Sequence, residues 1–399
     1  MTHVVVGAGL AGAKAVETLR AEGFSGPVTL IGSETDRPYE RPPLSKGLLL
    51  GTAERESVFV HGPNWYADND VDLRLGTTAT GLDTGRKVVR LAGGEEVGYD
   101  RLLLATGATP RPLTVPGGER AWTLRTLADS QRIADAVTEA TRLVVVGAGW
   151  IGLEVAAAAR GRGATVTVIG SSALPLQRIL GDEIATVFAD LHRSNGVTLR
   201  LGASAVAVSD DAVLLADGAR IPADIVVAGI GVTPNVGLAA DAGLAVGNGV
   251  LVDRRLATSD PDVFAAGDIA DIDHPVLKAR VRVEHWATAL NSGQVAAKAM
   301  LGQDVSYEKL PYFYTDQYDL GMEYIGWLPP GTPGDLVVRG NLATREFIAF
   351  WLLDGRVAAG MNVNIWDVND DIDKLIRSGA VVDRARLADP QTPLPSLLG

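Results

Sequence analysis

The sequence predicts an α/β fold of two Rossmann-like dinucleotide-binding domains with a C-terminal α+β domain. Three observations predict it. A strand–glycine–helix pattern occurs twice, first as Val4-Val5-Val6-Gly7-Ala8-Gly9-Leu10-Ala11-Gly12. It returns 140 residues later as Val144-Val145-Val146-Gly147-Ala148-Gly149-Trp150-Ile151-Gly152. Each copy later reaches an apolar run closed by glycine, at 101–107 and 224–231. From about Lys309 the texture changes, with clustered aromatics and β-type runs.

In each copy an apolar run of strand length precedes Gly-x-Gly-x-x-Gly, and an alanine-rich helical stretch follows. Gly23 and Gly163 suit the ends of those helices, and second β runs come at 28–31 and 165–169. The first glycine permits a tight turn, the second lets backbone approach a pyrophosphate, and the third lets helix and strand pack. The helix N-terminus offers its free N–H groups to the phosphates. Gly7, Gly9, Leu10, Ala11 and Gly12 are therefore candidates for one nucleotide. Gly147, Gly149, Ile151 and Gly152 are candidates for a second, with Gly231 closing that fold. A third apolar run, 263–266, stops at Gly267-Asp268, and 287–301 has helical composition. Beyond it, 322–327, 336–339 and 347–353 read as strands, 361–367 as a strand and turn, and 368–378 as a helix. The expected domains are 1–109 with 233–308, then 110–232, then 309–399.

Composition narrows the chemistry. A net charge of −12 argues against general nucleic-acid binding, which needs a basic face. The absence of cysteine removes disulfides, thiolate-held zinc, iron–sulfur clusters and a redox Cys pair. Five histidines leave little material for a metal site, so redox chemistry is expected to run on an organic cofactor. The N-terminus lacks a basic leader region, and the longest apolar stretch, 143–159, is interrupted by glycines and Glu154. A cytoplasmic protein is expected, with no membrane contact.

Glu34 lies 22 residues past Gly12, next to Ser33, where an acid binds ribose hydroxyls. The second copy has Gly170-Ser171-Ser172 there and no acid. Ser171 and Ser172 can donate to a 2′-phosphate, and Arg178 is eight residues past Gly170, yet no Arg directly follows the strand. NADH and NADPH both stay open, and Arg178 reads equally well as a solvated charge. Asp268 suits a ribityl hydroxyl of FAD, or a turn or helix cap. In Arg37-Pro38-Tyr39-Glu40-Arg41-Pro42-Pro43-Leu44-Ser45-Lys46 the prolines stiffen a cationic segment. There Arg41 suits a pyrophosphate and Lys46 an isoalloxazine ring, against the alternative of a rigid surface loop. Glu154 either complements the helix dipole or faces a nicotinamide and pairs with Lys46.

With these segments in view, the chain resembles the FAD/NAD-linked reductases of the glutathione-reductase structural class. More narrowly, Arg41–Lys46, Trp150–Glu154, Val283-Glu284-His285-Trp286 and Phe313-Tyr314-Thr315-Asp316-Gln317-Tyr318 resemble the ferredoxin reductases of bacterial P450 and dioxygenase systems. The resemblance implies an FAD enzyme that takes hydride from NADH or NADPH. It then passes single electrons to a [2Fe–2S] ferredoxin serving a P450 or Rieske-type oxygenase. It also implies FAD contacts at Ser33, Lys46, Ala79, Arg125, Asp268 and Trp286, with Glu284 and Trp286 beside the flavin. Ala105-Thr106-Gly107, Gly267, His285 and Tyr314 fall in the same shared motifs. Two departures are the missing acid after 165–169, and Tyr314-Thr315 where the family commonly has Trp-Ser. An NAD(P)H oxidase or rubredoxin reductase, and a redox-sensing flavoprotein resembling apoptosis-inducing factors, remain the competing readings. The alternation of Lys278, Arg280 and Arg282 suggests a strand with three cations on one face. That face suits docking of an acidic ferredoxin, or is simply solvated. A monomer or weak homodimer is expected.

Overall fold

Parallel strands made almost wholly of Val, Leu and Ile form the centre of each nucleotide fold, because strands covered on both faces need no polar side. In the computed structural model, which describes residues 1–398, the chain divides into two units. The first comprises 1–40, 55–109 and 233–311. Its parallel sheet runs Val263–Ala265, Arg101–Leu104, His3–Val6, Val28–Ile31, Val71–Arg74. The helices Leu10–Ala21 and Trp286–Met300 pack against each other closely. Gly293 makes this possible, since a Cβ there would stand 2.2 Å from the Ala11 carbonyl oxygen.

The second unit comprises 41–54, 110–232 and 312–399. Its parallel sheet runs Thr198–Leu201, Thr165–Gly170, Arg142–Val146, Ile225–Ala228. An antiparallel sheet follows in the order Tyr312–Gln317, Leu320–Gly326, Arg356–Val363, Glu346–Leu353, Asp335–Asn341. One apolar cluster joins the two sheets, with Val145, Leu153 and Phe188 on one side and Met322, Phe347 and Met361 on the other. The segment 41–54 belongs here although its neighbours on both sides belong to the first unit. Leu49 explains it, being fully buried in that same cluster. The strand expected within 361–367 is the end of Arg356–Val363, and the chain then turns at Asn364 with φ 51°. No helix among the described residues is long and apolar enough to cross a membrane.

Four of the five histidines are held below their ordinary range, chiefly by burial. His3, with both ring nitrogens buried and unpartnered, is pushed to about 4 by burial and then by Arg101. Burial also holds His285 at about 4. Between pH 6.5 and 4 the unfolded chain therefore binds more protons than the folded one, and stability falls as pH falls. Each of these two groups contributes on the order of 3 kcal/mol across that window. Asp271, raised by burial, acts in the opposite sense. The urea midpoint is expected to drop between pH 7 and pH 5, and a flat or rising midpoint contradicts the assignment.

Candidate functional site

In the first unit the candidate nucleotide residues gather at the carboxyl ends of adjacent parallel strands, the edge where open α/β sheets take ligands. Gly7 to Gly12 follow His3–Val6, Ser33 and Glu34 follow Val28–Ile31, Ala105 to Gly107 follow Arg101–Leu104, and Gly267-Asp268 follow Val263–Ala265. Gly7 has φ +118°, and a Cβ on it would lie 2.0 Å from the Ala105 carbonyl oxygen. Gly12 would similarly strike the Gly7 carbonyl oxygen at 2.0 Å, so no larger residue fits either position. Gly9 differs. Nothing of the protein lies within 4 Å of where its Cβ would be. Gly9 also caps Leu10–Ala21 with no side-chain cap and no acid in the first turn. The first-turn N–H groups of this helix thus receive no capping side chain and share their turn with no acid, which fits the pyrophosphate of FAD.

Around this edge, the Tyr39 hydroxyl donates to the Glu34 carboxylate and so fixes the acid expected at the ribose. Asp268 is 9% exposed, and its own carbonyl accepts from Arg282 at 3.1 Å. The Gly267 N–H donates to Ser292 Oγ at 2.9 Å, tying that turn to the Trp286–Met300 helix, whose N-cap is His285. Trp286 opens the helix and Glu284 precedes it, exposed and paired with Arg282 at 2.6 Å. Ala79 starts the neighbouring strand Ala79–Asp83.

In the second unit the same arrangement recurs. Gly147 has φ +116°, the Gly149 Cβ position is open, and Gly149 caps Trp150–Gly161 without a side-chain bond. Gly231, with φ +102°, closes the fold after Ile225–Ala228. The two folds superpose in hydrogen-bond pattern beyond the glycines. In the first, Gly76 N–H bonds the Glu34 carbonyl and Thr77 N–H bonds the Gly32 carbonyl. In the second, Gly202 N–H bonds the Ser172 carbonyl and Ala203 N–H bonds the Gly170 carbonyl. Ser172 therefore occupies the position that Glu34 holds in the first fold. Ser171 is exposed beside it, and Arg178 is exposed in the first turn of Gln177–Ser194.

The second unit also builds a polar centre around Glu154. This residue lies in the second turn of its helix and is 4% exposed, so complementing the dipole at the helix terminus is not its role. Lys46 donates to its Oε1 at 2.8 Å, Ser45 donates to its Oε2, and Thr315 donates to its Oε1 at 2.5 Å. The Lys46 ammonium stands 5.4 Å from the centre of the Tyr314 ring. Arg41 donates to the Arg125 carbonyl, and the Arg125 N–H donates to the Asp129 carboxylate at 3.0 Å. Sequence reasoning found Lys46 and Glu154 and missed Ser45, Thr315 as a ligand of the acid, Gln317 and His192. Thr315 and Gln317 alternate with exposed Asp316 along Tyr312–Gln317, so two polar residues at every second position of a buried strand face carried the signal.

The three-cation strand does not form. The strand is Ala279–Val281 and carries Arg280 alone. Lys278 sits in the turn before it with φ 51°. The Arg282 side chain is 9% exposed and is neutralised by Glu284. Alternation predicted one face, but the hairpin turn takes Lys278 out of the strand and Arg282 folds inward onto the Asp268 carbonyl.

With this geometry in place, comparison with known proteins is decisive. Residues 1–293 match the pyridine nucleotide-disulphide oxidoreductase family, and residues 312–398 match the reductase C-terminal family. The chain belongs to the pyridine nucleotide-disulphide oxidoreductases. It is 39% identical to the anthranilate 1,2-dioxygenase system ferredoxin–NAD(+) reductase component of Burkholderia cepacia, covering 99% of this chain and 98% of that one. It is 38% identical to putidaredoxin reductase of Pseudomonas putida, over 99% and 96% respectively. Putidaredoxin reductase as solved in its covalent complex with putidaredoxin superposes with a TM-score of 0.95 at 37% identity, covering 100% and 98%. A water-forming NADH oxidase of Lactobacillus brevis, 22% identical with a TM-score of 0.87, shares the fold alone. This oxidoreductase is thus a flavoprotein of the ferredoxin-reductase kind, with FAD and a nicotinamide nucleotide as its cofactors. Lacking any cysteine, it has no disulphide of its own to reduce.

Proposed function

We propose that this chain takes hydride from NADH or NADPH and delivers single electrons to a [2Fe–2S] ferredoxin that serves a P450 or Rieske-type oxygenase in the cytoplasm. The observation that carries the reading is likeness over the whole chain, C-terminal region included, to reductase components of such systems. FAD, when bound, supplies the conversion of a two-electron donor into one-electron steps. Residues 1–109 and 233–308 bind FAD in this reading, 110–232 bind the nicotinamide nucleotide, and 309–399 form the C-terminal domain. Gly7, Gly9 and Gly12 hold the pyrophosphate, Glu34 the ribose, and Asp268 a ribityl hydroxyl. Ser33, Ala79, Ala105, Thr106, Gly107, His285 and Trp286 line the rest. Gly147, Gly149, Ile151, Gly152, Ser171, Ser172, Arg178 and Gly231 take the nicotinamide nucleotide. Lys46 and Glu154 act where hydride passes, which needs two rings stacked with water excluded. Of the hairpin cations, the exposed Lys278 and Arg280 are the ones left to meet a ferredoxin.

Acceptor competition tests this. After anaerobic bleaching by reduced nucleotide, the protein is expected to reduce a [2Fe–2S] ferredoxin at least about tenfold faster than dioxygen. Comparable rates favour the oxidase reading. Slow reoxidation by both, with a nucleotide-dependent change in size, favours the sensor.

A further inference from the structure

Glu154 is the end of a longer line of buried groups. His192, on the Gln177–Ser194 helix, is fully buried, and its Nε2 meets Gln317 Oε1 at 2.8 Å. A carbonyl oxygen only accepts, so the His192 ring carries its proton on Nε2. The other ring nitrogen, Nδ1, is buried with no partner, consistent with a neutral ring. Burial holds the imidazole below its ordinary range, in the same direction. Gln317 Nε2 then donates to Thr315 Oγ1 at 3.1 Å. The carboxylate only accepts, so the Thr315 hydroxyl gives its proton to Glu154 Oε1 at 2.5 Å. Every bond in the series points the same way, from His192 through Gln317 and Thr315 to the carboxylate. Gln317 and Thr315 are each 1% exposed, so water does not complete or reverse the order.

We propose that His192, Gln317 and Thr315 are positioning residues: a one-way line of donors that fixes the Glu154 carboxylate and, through it, the Lys46 ammonium during hydride transfer. The inference rests on the reading that Lys46 and Glu154 act where hydride passes. Its physical content is orientation. A carboxylate bound by Lys46 and Ser45 alone can rotate about its last torsion, whereas a third donor fixed in direction holds one oxygen toward Lys46. A buried hydroxyl free to point either way does not do this. The amide removes that freedom by occupying the acceptor side of Thr315.

The test uses the FAD-loaded protein. Thr315→Val keeps the shape and deletes the donor, while Thr315→Ser restores it. In rapid mixing with NADH, Thr315→Val is expected to lower the limiting rate of flavin bleaching about tenfold with little change in the concentration of half-saturation, and Thr315→Ser to recover most of it. Gln317→Met is expected to cost about threefold. A readout independent of turnover accompanies these: with five histidines in the chain, ¹⁵N spectra resolve the His192 ring. They are expected to show the neutral Nε2–H form in the parent protein and mixed tautomers in Gln317→Met. Equal loss in Thr315→Val and Thr315→Ser, or an Nδ1–H ring in the parent, overturns the donor line while leaving the proposed function intact. A Glu154→Gln protein that bleaches at the parental rate overturns the underlying placement of Glu154, and the donor line with it.

Discussion

Lys46→Met is expected to cripple flavin reduction and to destabilise the second unit together. Glu154 is 4% exposed and Lys46 14%, so their 2.8 Å pair is largely sheltered from solvent. Removing the ammonium leaves a buried carboxylate with two hydroxyl donors, Ser45 and Thr315, and no opposing charge. Breaking a buried pair from one side costs about 3–5 kcal/mol, most of it from the charge left behind. The thermal midpoint is expected to fall by several degrees. On the chemical side, loss of one preorganised charge at a transfer site typically costs a factor of about 10²–10³ in rate. Two further variants separate the effects. Lys46→Met with Glu154→Gln removes both charges and is expected to recover most of the stability but none of the rate. Were Lys46→Met to lower the midpoint while bleaching by NADH proceeded at the parental rate, the pair would be a structural tie and no part of the reaction.

The parts of this molecule legible in the sequence are those specified by local pattern. The continuous runs 4–6 and 144–146, with glycines at fixed offsets, specify the parallel strands and their turns because no other residue fits at Gly7, Gly12, Gly147 or Gly152. The long helix expected at 287–301 forms as Trp286–Met300, and that expected at 368–378 forms as Asn369–Ser378. What local pattern does not carry is the destination of a segment. Gly47-Leu48-Leu49-Leu50 is apolar in any reading, and only the second unit's core, where Leu49 sits beside Ile133 and Leu153, shows why it leaves the first fold. The failure at Lys278, Arg280 and Arg282 has the same source, since a period of two says nothing about where a hairpin turns. His192 is the sharpest case. On a helix face with Ile184, Phe188 and Leu191 it looks like a filler, and its partner Gln317 is 125 residues away.

Ser172→Glu is expected to shift the choice of nucleotide toward NADH by about two orders of magnitude. The internal duplication supplies the argument. Ser172 receives the Gly202 N–H on its carbonyl as Glu34 receives that of Gly76, so a glutamate placed there starts from the same backbone position. The strand ends also match: a Cβ on Gly32 would meet Ala8 Cβ at 2.5 Å and one on Gly170 would meet Ala148 Cβ at 2.8 Å, so each acid follows an equally close approach of strand to turn. Charged hydrogen bonds to a ribose diol contribute about 1.5–3 kcal/mol, and a carboxylate facing a 2′-phosphate opposes binding. A combined difference near 3 kcal/mol is about a hundredfold. Ser172 neither grips a diol strongly nor repels a phosphate, so the parent protein is expected to discriminate less than the variant. The ratio of kcat/KM for NADH to that for NADPH, measured with a dye acceptor, reads the effect without any ferredoxin. The affinities of 5′-AMP and adenosine 2′,5′-bisphosphate read it without any turnover. A variant whose ratio stays at the parental value would show that the adenine end of the nucleotide does not reach Ser172, and the correspondence between the two folds would then stop at the glycines.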